Sequence, residues 1–188
     1  MPTANPDPYP PQLDSYLHSS EVTSKIGSQS TWVKGNEDVY AQFAATGDWM
    51  RSSLSDLEVV INSGVRTVIY DGDADFILNY IGVEAMVRTF QKISSPRLPA
   101  LALILSLFVK VCSLNTKFSA ELAKQNFATY TVNGKPAGLY KNAGTFSYLR
   151  VFGAGHEVPS YLWRDVPRGA AALQMFTQIM SGHQLSST

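Results

Sequence analysis

The sequence predicts an α/β fold, because two strand-like runs are joined and flanked by segments with helical periodicity. Residues 65–70 are β-branched or aromatic except for Arg66, and they predict a buried parallel strand. Residues 146–151 alternate in polarity and predict a second strand. Residues 49–62 predict a core-facing helix, since apolar side chains recur there at helical spacing at Met50, Leu54, Leu57 and Ile61. Helix, strand, turn and helix then follow one another as one α/β unit.

The remaining elements follow from periodicity and turn chemistry. Further helices are predicted at 13–26, 37–44, 84–90 and 118–127. Tyr130–Lys135 predicts a hairpin, because its central Asn-Gly pair suits a type I′ turn. A last helix is predicted after Asp165 as its N-cap and before Gly182. This helix is expected to bury Leu173, Phe176 and Met180.

Composition narrows the classes of function. The 188 residues suit one domain, and a hydrophobic content of 45% is enough for a core. The net charge is zero, with 15 basic and 15 acidic residues and no basic stripe, so neither nucleic acid nor a membrane is expected as a partner. The single cysteine allows no internal disulfide. The N-terminus lacks a basic region followed by an apolar one, so no signal peptide is expected in this chain.

The predicted domain comprises residues 1–188. Two of its segments differ in composition from the rest. Residues 1–12 form a Pro-rich lead-in with five prolines. Residues 91–113 form an atypical apolar insertion, whose core at Leu98–Val109 is apolar on all sides. Its twelve residues are too short for a membrane span of about 20 residues. Our hypothesis is translated non-coding sequence or an unusual insertion, and the alternative is a buried core helix.

The candidate catalytic residues follow directly after the two predicted strands. Asp71, Asp73 and Asp75 follow the first strand, and His156 follows the second on a turn made of Gly153-Ala154-Gly155. In open α/β sheets, ligands and catalytic groups collect at the carboxyl ends of strands. An acid and a later histidine in these places match the Asp…His order of an α/β-hydrolase triad.

Other interpretations of these residues stay open. The histidine and the acids could be structural or solvent-facing. The alternating acids could begin a calcium loop, but the twelfth position of that loop is Gly82 where glutamate is needed. They could also ligate another metal, although two ligands are too few for a metal site.

Longer motifs around these residues resemble those of a known family. Tyr70-x-Gly72-Asp73-x-Asp75-Phe76, followed by Asn79-Tyr80-x-Gly82, resembles the aspartate motif of the carboxypeptidase Y-like serine carboxypeptidases. Gly153-Ala154-Gly155-His156-x-Val158-Pro159 resembles their histidine motif. The resemblance implies Asp75 as the triad aspartate, His156 as the triad base and Asp73 as a supporting acid. It also implies that Leu78 and Glu157 occupy substrate-pocket positions.

The triad nucleophile has no counterpart in this sequence. The fold needs Gly-x-Ser-x-Gly before the aspartate, and this pattern does not occur. Ser147 and Ser160 follow Asp75 and lack the flanking glycines. The resemblance therefore implies the C-terminal part of an α/β-hydrolase fold, an incomplete sheet with flanking helices that holds two of the three triad members.

The resemblance implies a serine-type carboxypeptidase that releases C-terminal amino acids from peptides or proteins by Ser-His-Asp acyl transfer. No cofactor or metal is expected, and the family leads us to expect a secreted or vacuolar protein. We expect this chain alone to be inactive, with a missing N-terminal half as its partner. The alternatives are a catalytically inactive fragment or pseudoenzyme that binds a partner chain, and a small non-enzymatic binding module.

Overall fold

The computed structural model describes residues 11–87 and 114–188. The apolar insertion at 91–113 and most of the Pro-rich lead-in lie outside these ranges, so their predicted structures stay predictions. The described residues divide into two compact units, 11–53 and 54–188 without the gap. None of the helices in these ranges is long and apolar enough to cross a membrane.

The first unit is built from short helices. They are α1 (Leu13–His18), α2 (Ser20–Ile26) and α3 (Glu37–Ala45), followed by a 3₁₀ turn at Asp48–Met50. The single helix predicted for 13–26 is wrong, because Ser19 takes an extended conformation and its Oγ accepts a hydrogen bond from the Val22 N–H. Asn36 caps α3 in the same way, through the N–H groups of Asp38 and Val39. A polar side chain that captures free N–H groups starts a helix at its own position.

The second unit contains a four-stranded mixed sheet with helices beside it. Its elements are α4 (Leu54–Asn62), β1 (Thr67–Gly72), α5 (Tyr80–Val87), α6 (Ser119–Lys124), β2 (Ala128–Val132), β3 (Lys135–Ala143), β4 (Phe146–Val151) and α7 (Ala170–Met180). The strand order is β1-β4-β3-β2. β1 and β4 are parallel, in register from Thr67 opposite Phe146 to Gly72 opposite Val151, and β3 is antiparallel to both its neighbours. The predicted α/β class is confirmed.

The hairpin that joins β2 and β3 has the predicted turn. Asn133 and Gly134 both have positive φ, at 51° and 74°, as a type I′ turn requires. An asparagine followed by glycine tolerates this geometry at low cost, which is why the dipeptide alone located the turn.

The core consists of two clusters, which draw on alternate residues of the sheet. Leu149 and Val151 of β4 pack in the cluster that includes Met175 of α7. Phe146 and Tyr148 pack in the other cluster, with residues of α4, α5 and α6. Successive side chains of a strand point to opposite faces, so β4 is covered on both sides.

The last helix differs from its prediction. It begins at Ala170, after Gly169 with a φ of 70°, and Asp165 does not cap it. Its buried residues are Ala171, Ala172 and Met175, whereas Leu173, Phe176 and Met180 are exposed. The helix turns its small residues toward the sheet, where they allow close approach, and its largest apolar side chains point outward.

The helix predicted at 49–62 is also shorter than expected. Arg51 is extended, and α4 begins only at Leu54, so Met50 lies on the surface. Ile61 is fully buried, in agreement with its place in the predicted stripe. The helix predicted at 84–90 begins earlier, at Tyr80 of α5, and its residues 88–90 lie outside the described ranges. The helix predicted at 118–127 is shorter, as α6.

Gly72 ends β1 at a place where the chain comes very close to a neighbouring turn. A Cβ atom on Gly72 would overlap the backbone carbonyl of Ala154. Gly72→Ala should therefore lower the free energy of unfolding by about 1 to 3 kcal/mol, since backbone must shift to make room. Urea denaturation followed by circular dichroism measures this change.

Gly82→Ala is the matched control for this prediction. Its added Cβ would meet only Asn79 at ordinary contact distances, and alanine favours a helix over glycine. The control should leave the free energy of unfolding unchanged or slightly raised. Equal effects of the two substitutions would contradict the close approach at Gly72.

Candidate active site

The turns after β1 and β4 lie side by side. Because the two strands are parallel and adjacent, their carboxyl ends reach the same edge of the sheet. The acidic turn 73–75 follows β1, and the glycine turn 152–156 follows β4. Parallel pairing therefore brings together the two motifs that the sequence singled out.

Three hydrogen bonds tie these turns to each other. The Asp73 N–H donates to the Val151 carbonyl at 3.0 Å, and the Ala74 N–H donates to the Ala154 carbonyl at 2.9 Å. The Asp73 carboxylate accepts a hydrogen bond from the Gly153 N–H at 2.6 Å. Hydrogen bonds to charged acceptors are stronger than neutral ones. Asp73 thus holds the glycine turn in place without contacting the histidine.

Asp75 and His156, 81 positions apart in the chain, form a direct contact. The Nδ1 atom of His156 lies 3.0 Å from Oδ2 of Asp75. The other oxygen of Asp75 accepts the N–H groups of Ile77 and Leu78, at 2.9 and 3.1 Å. These two backbone bonds orient the carboxylate, and its remaining oxygen faces the imidazole.

The contact shifts the pKa of both groups. Burial raises the pKa of the Asp75 carboxyl, but the hydrogen bonds from His156, Leu78 and Ile77 outweigh it and hold the pKa below its usual value. The hydrogen bond to Asp75 and its negative charge raise the pKa of His156, with a smaller contribution from Glu157. An ionised carboxylate only accepts hydrogen bonds, so the proton of the neutral imidazole sits on Nδ1.

The other ring nitrogen of His156 remains available for chemistry. The His156 side chain is 50% exposed, whereas the Asp75 side chain is only 6% exposed. Within residues 11–87 and 114–188, Nε2 of His156 makes no hydrogen bond. An imidazole fixed in one tautomer, with Nε2 open to solvent, can accept a proton from a group that approaches from outside.

Leu78 and Glu157 lie next to this pair in the chain. The backbone N–H of Leu78 bonds Asp75, while its side chain is exposed. Glu157 is half-buried, and its charge acts on His156. Both side chains therefore lie beside the pair, where an approaching molecule could meet them.

Asp71, the first acid of the motif, points away from the pair. It is 6% exposed, and its Oδ1 accepts a hydrogen bond from the Tyr148 hydroxyl at 2.9 Å. Its Oδ2 has no partner among the described residues. Burial raises the pKa of Asp71 to about 6, because the hydrogen bond from Tyr148 only partly compensates for lost water.

A salt bridge lies near Asp71 on the same face of the sheet. Arg150, opposite Asp71 in the register of β4, contacts Glu84 of α5 at 3.0 Å and lies over the ring of Tyr80. The sequence interpretation did not single out Tyr148, Glu84 or Arg150. A signal was present, because Tyr148 and Arg150 are polar residues two positions apart in a strand otherwise suited to a core.

The carboxylates of the three acids meet three different partners. Asp71 contacts Tyr148, Asp73 contacts Gly153 and Asp75 contacts His156. In the part of the chain that the structure describes, no group of three metal-ligating side chains is close enough to hold an ion. The three carboxylates therefore do not converge on one point in this structure.

No serine takes the nucleophile's place among the described residues. Ser147 is fully buried and donates to Asn142 at 2.7 Å. Ser160 lies in the 3₁₀ turn Val158–Ser160 and does not contact the imidazole. In the described ranges, the site holds an acid and a base, and no serine hydroxyl is hydrogen-bonded to the imidazole.

Comparison with known proteins assigns the chain to a family. The family described as serine carboxypeptidase matches residues 3–182. The chain belongs to the serine carboxypeptidase family. It is thereby grouped with hydrolases that act as peptidases.

Individual relatives agree with this assignment. Carboxypeptidase S1 of Penicillium janthinellum is 36% identical over 183 residues, which cover 97% of this chain and 36% of that protein. Carboxypeptidase Y of Schizosaccharomyces pombe is 30% identical over 148 residues, or 78% of this chain and 12% of that protein. Carboxypeptidase Y of Saccharomyces cerevisiae is 27% identical over 164 residues. The chain thus spans about a third or less of the length of these relatives.

The raised pKa of His156 should depend mainly on Asp75. Asp75→Asn removes the negative charge, so the pKa of His156 should fall, as measured by NMR titration of the imidazole protons. Glu157→Gln is the control and should lower the pKa by less, because Glu157 acts only through its charge. A larger effect of Glu157→Gln would contradict the hydrogen-bonded pair.

Asp71 should make the fold more stable at acid pH. Its pKa is about 6 in the fold, above the ordinary 3.8, so the folded state holds the proton more tightly than the unfolded state. The resulting stability is complete below pH 3.8 and is lost as the pH rises through 6. The free energy of unfolding should therefore fall by about 2 to 3 kcal/mol between pH 4 and 7 in the wild type relative to Asp71→Asn.

Urea denaturation at a series of pH values measures this difference. Asp165→Asn, at an exposed acid of the same unit, is the matched control and should keep the wild-type pH dependence. An unchanged pH dependence in Asp71→Asn would show that Asp71 ionises in the fold as freely as in the unfolded chain.

Proposed function

We propose that this chain is the C-terminal part of an α/β-hydrolase domain of a serine-type carboxypeptidase. In this proposal, Asp75 and His156 are two members of a Ser-His-Asp triad. The observation that supports it best is the contact between these two side chains at the carboxyl ends of adjacent parallel strands. The chain order of acid before histidine also matches this fold.

The proposed reaction is acyl transfer. Nε2 of His156 takes the proton of a serine hydroxyl as that oxygen attacks the carbonyl of the last peptide bond of a substrate. The imidazolium then gives this proton to the leaving amino acid, and water hydrolyses the acyl-enzyme by the same route. Asp75 keeps the proton of the neutral ring on Nδ1 and stabilises the imidazolium. This chemistry uses no cofactor.

The proposed substrates are the C-termini of peptides or proteins, and Leu78 and Glu157 are the proposed contacts of this chain with them. The exposed side chain of Leu78 suits an apolar substrate group next to Asp75. Glu157 would favour basic side chains when ionised and would hydrogen-bond the substrate carboxylate when protonated. By family, we expect the complete protein to be secreted or vacuolar.

The proposed serine comes from outside this chain, so the chain alone should be inactive. The purified chain should not hydrolyse an N-blocked dipeptide, and a fluorophosphonate probe should not label it. The physical reason is that removing the nucleophile of a triad lowers the rate by several orders of magnitude. Turnover by the chain alone that His156→Ala abolishes would contradict this prediction.

Labelling of native source material distinguishes the proposed enzyme from the alternatives. Peptides of this chain in a labelled band well above 20.6 kDa would place the nucleophile in a longer product. Unlabelled peptides near 20.6 kDa alone would instead favour an inactive remnant or pseudoenzyme. That alternative is supported by the absence, in the described ranges, of a serine hydroxyl bonded to His156, and it predicts that a partner chain copurifies.

A further inference from the structure

The loop at residues 158–169, between His156 and α7, is firmly attached to the rest of the unit. Val158 and Val166 are buried in the core cluster that also contains Met175. Backbone hydrogen bonds cross the loop, and a lysine side chain from β3 donates to one of its carbonyls. The loop therefore presents its other side chains from a fixed backbone.

Two aromatic residues, Tyr161 and Trp163, are held by this backbone. The Tyr161 carbonyl accepts the Gly169 N–H at 3.1 Å, and Trp163 and Val166 exchange two backbone hydrogen bonds, at 3.2 and 2.8 Å. Arg164, at the tip of this turn, has a φ of 49°, which is uncommon for a residue with a side chain. Its guanidinium lies over the Trp163 ring, 5.1 Å from the centroid. The tight turn and the cation together restrict the Trp163 side chain.

Both rings pack against the glycine turn at the residues that have no side chain. A Cβ atom on Gly153 would overlap the indole of Trp163, and one on Gly155 would overlap the ring and hydroxyl of Tyr161. The backbone of this turn is buried, although the neighbouring His156 is exposed. The two glycines therefore allow close packing with the rings in addition to turning the chain.

The imidazole of His156 depends on this turn for its position. The side chain is half exposed, and its one hydrogen bond within residues 11–87 and 114–188 is the 3.0 Å contact of Nδ1 with Asp75. The backbone of the turn therefore determines where Nδ1 lies. Since a separation of about 3.6 Å no longer makes a hydrogen bond, a shift of the turn by a fraction of an ångström would break this contact.

We propose that Tyr161 and Trp163 are positioning residues for His156. For its catalytic consequence the inference rests on the proposed function, and it adds two residues that act through the turn rather than on the substrate. The acidic turn binds the glycine turn by hydrogen bonds, and the two rings support the glycine turn by packing. Without the rings, the turn would be free to move relative to Asp75.

NMR titration of the His156 imidazole tests the proposal, because the hydrogen bond to Asp75 raises the pKa of this histidine. Tyr161→Ala and Trp163→Ala should each lower this pKa toward its ordinary value. Each should remove a large part of the rise that Asp75→Asn removes. Tyr161→Phe keeps the ring and should keep the raised pKa.

Met175→Ala is the matched control, because Met175 is buried in the same core cluster but lies on α7 rather than in the loop. It should lower the free energy of unfolding, as measured with urea, and leave the pKa of His156 unchanged. The other two histidines, His18 and His183, are internal references whose titrations should not change in any variant.

Gly155→Ala is a second variant that leaves both rings in the chain. Gly155 does not have a positive φ, so the added Cβ meets the Tyr161 side chain without backbone strain of its own. Either the ring or the turn must then move, and the pKa of His156 should fall as it does in Tyr161→Ala.

An unchanged pKa of His156 in both Tyr161→Ala and Gly155→Ala would overturn the inference, and so would an equal fall in Met175→Ala. The titration needs no serine and is therefore independent of the proposed function. In a longer product that carries the nucleophile, Tyr161→Ala should also slow fluorophosphonate labelling roughly tenfold or more. A lowered pKa, together with a longer product that never reacts with the probe, would support the positioning while contradicting the proposed function.

Discussion

The parallel pairing of β1 with β4 is the constraint on which the candidate site depends. It places the turns that carry Asp75 and His156 at one edge of the sheet, although 81 positions separate them in the chain. Backbone bonds from the acidic turn to the Val151 and Ala154 carbonyls, together with the Asp73 carboxylate, then hold the turns together. Gly72 is needed because any side chain there would push the turns apart. The geometry of the acid and base is thus a property of the sheet rather than of the two residues alone.

A group of polar and charged side chains lies on one face of the same two strands. Asp71 accepts the Tyr148 hydroxyl but leaves one oxygen without a partner among the described residues, and Arg150 pairs with Glu84 nearby. Burying charged groups costs desolvation free energy, and such groups stabilise a fold less than apolar packing does. This desolvation raises the pKa of Asp71. The fold should therefore be more stable at acid pH, where Asp71 is protonated.

The two edges of the sheet differ. The C-terminal residues cover the β2 edge, while among the described residues β1 pairs only with β4 and has exposed apolar neighbours. The site is also open on one side, since the base is half exposed and no serine hydroxyl is bonded to it in the described ranges. Both features involve β1 and the turn that follows it.

Local chemistry in the sequence was enough to predict the α/β class, the hairpin at Asn133-Gly134, and Asp75 and His156 as candidates. Each of these predictions rests on the backbone preferences of a few neighbouring residues or on the order of motifs along the chain. Tertiary packing determined the features that the sequence did not predict. It selected Ala171, Ala172 and Met175 as the buried face of α7, because small residues approach the sheet more closely than Leu173 or Phe176. It also gave the three acids different partners: Asp71 bonds Tyr148, Asp73 bonds the Gly153 N–H, and Asp75 bonds His156. These partners follow from the pairing of β1 with β4, which the sequence does not specify locally.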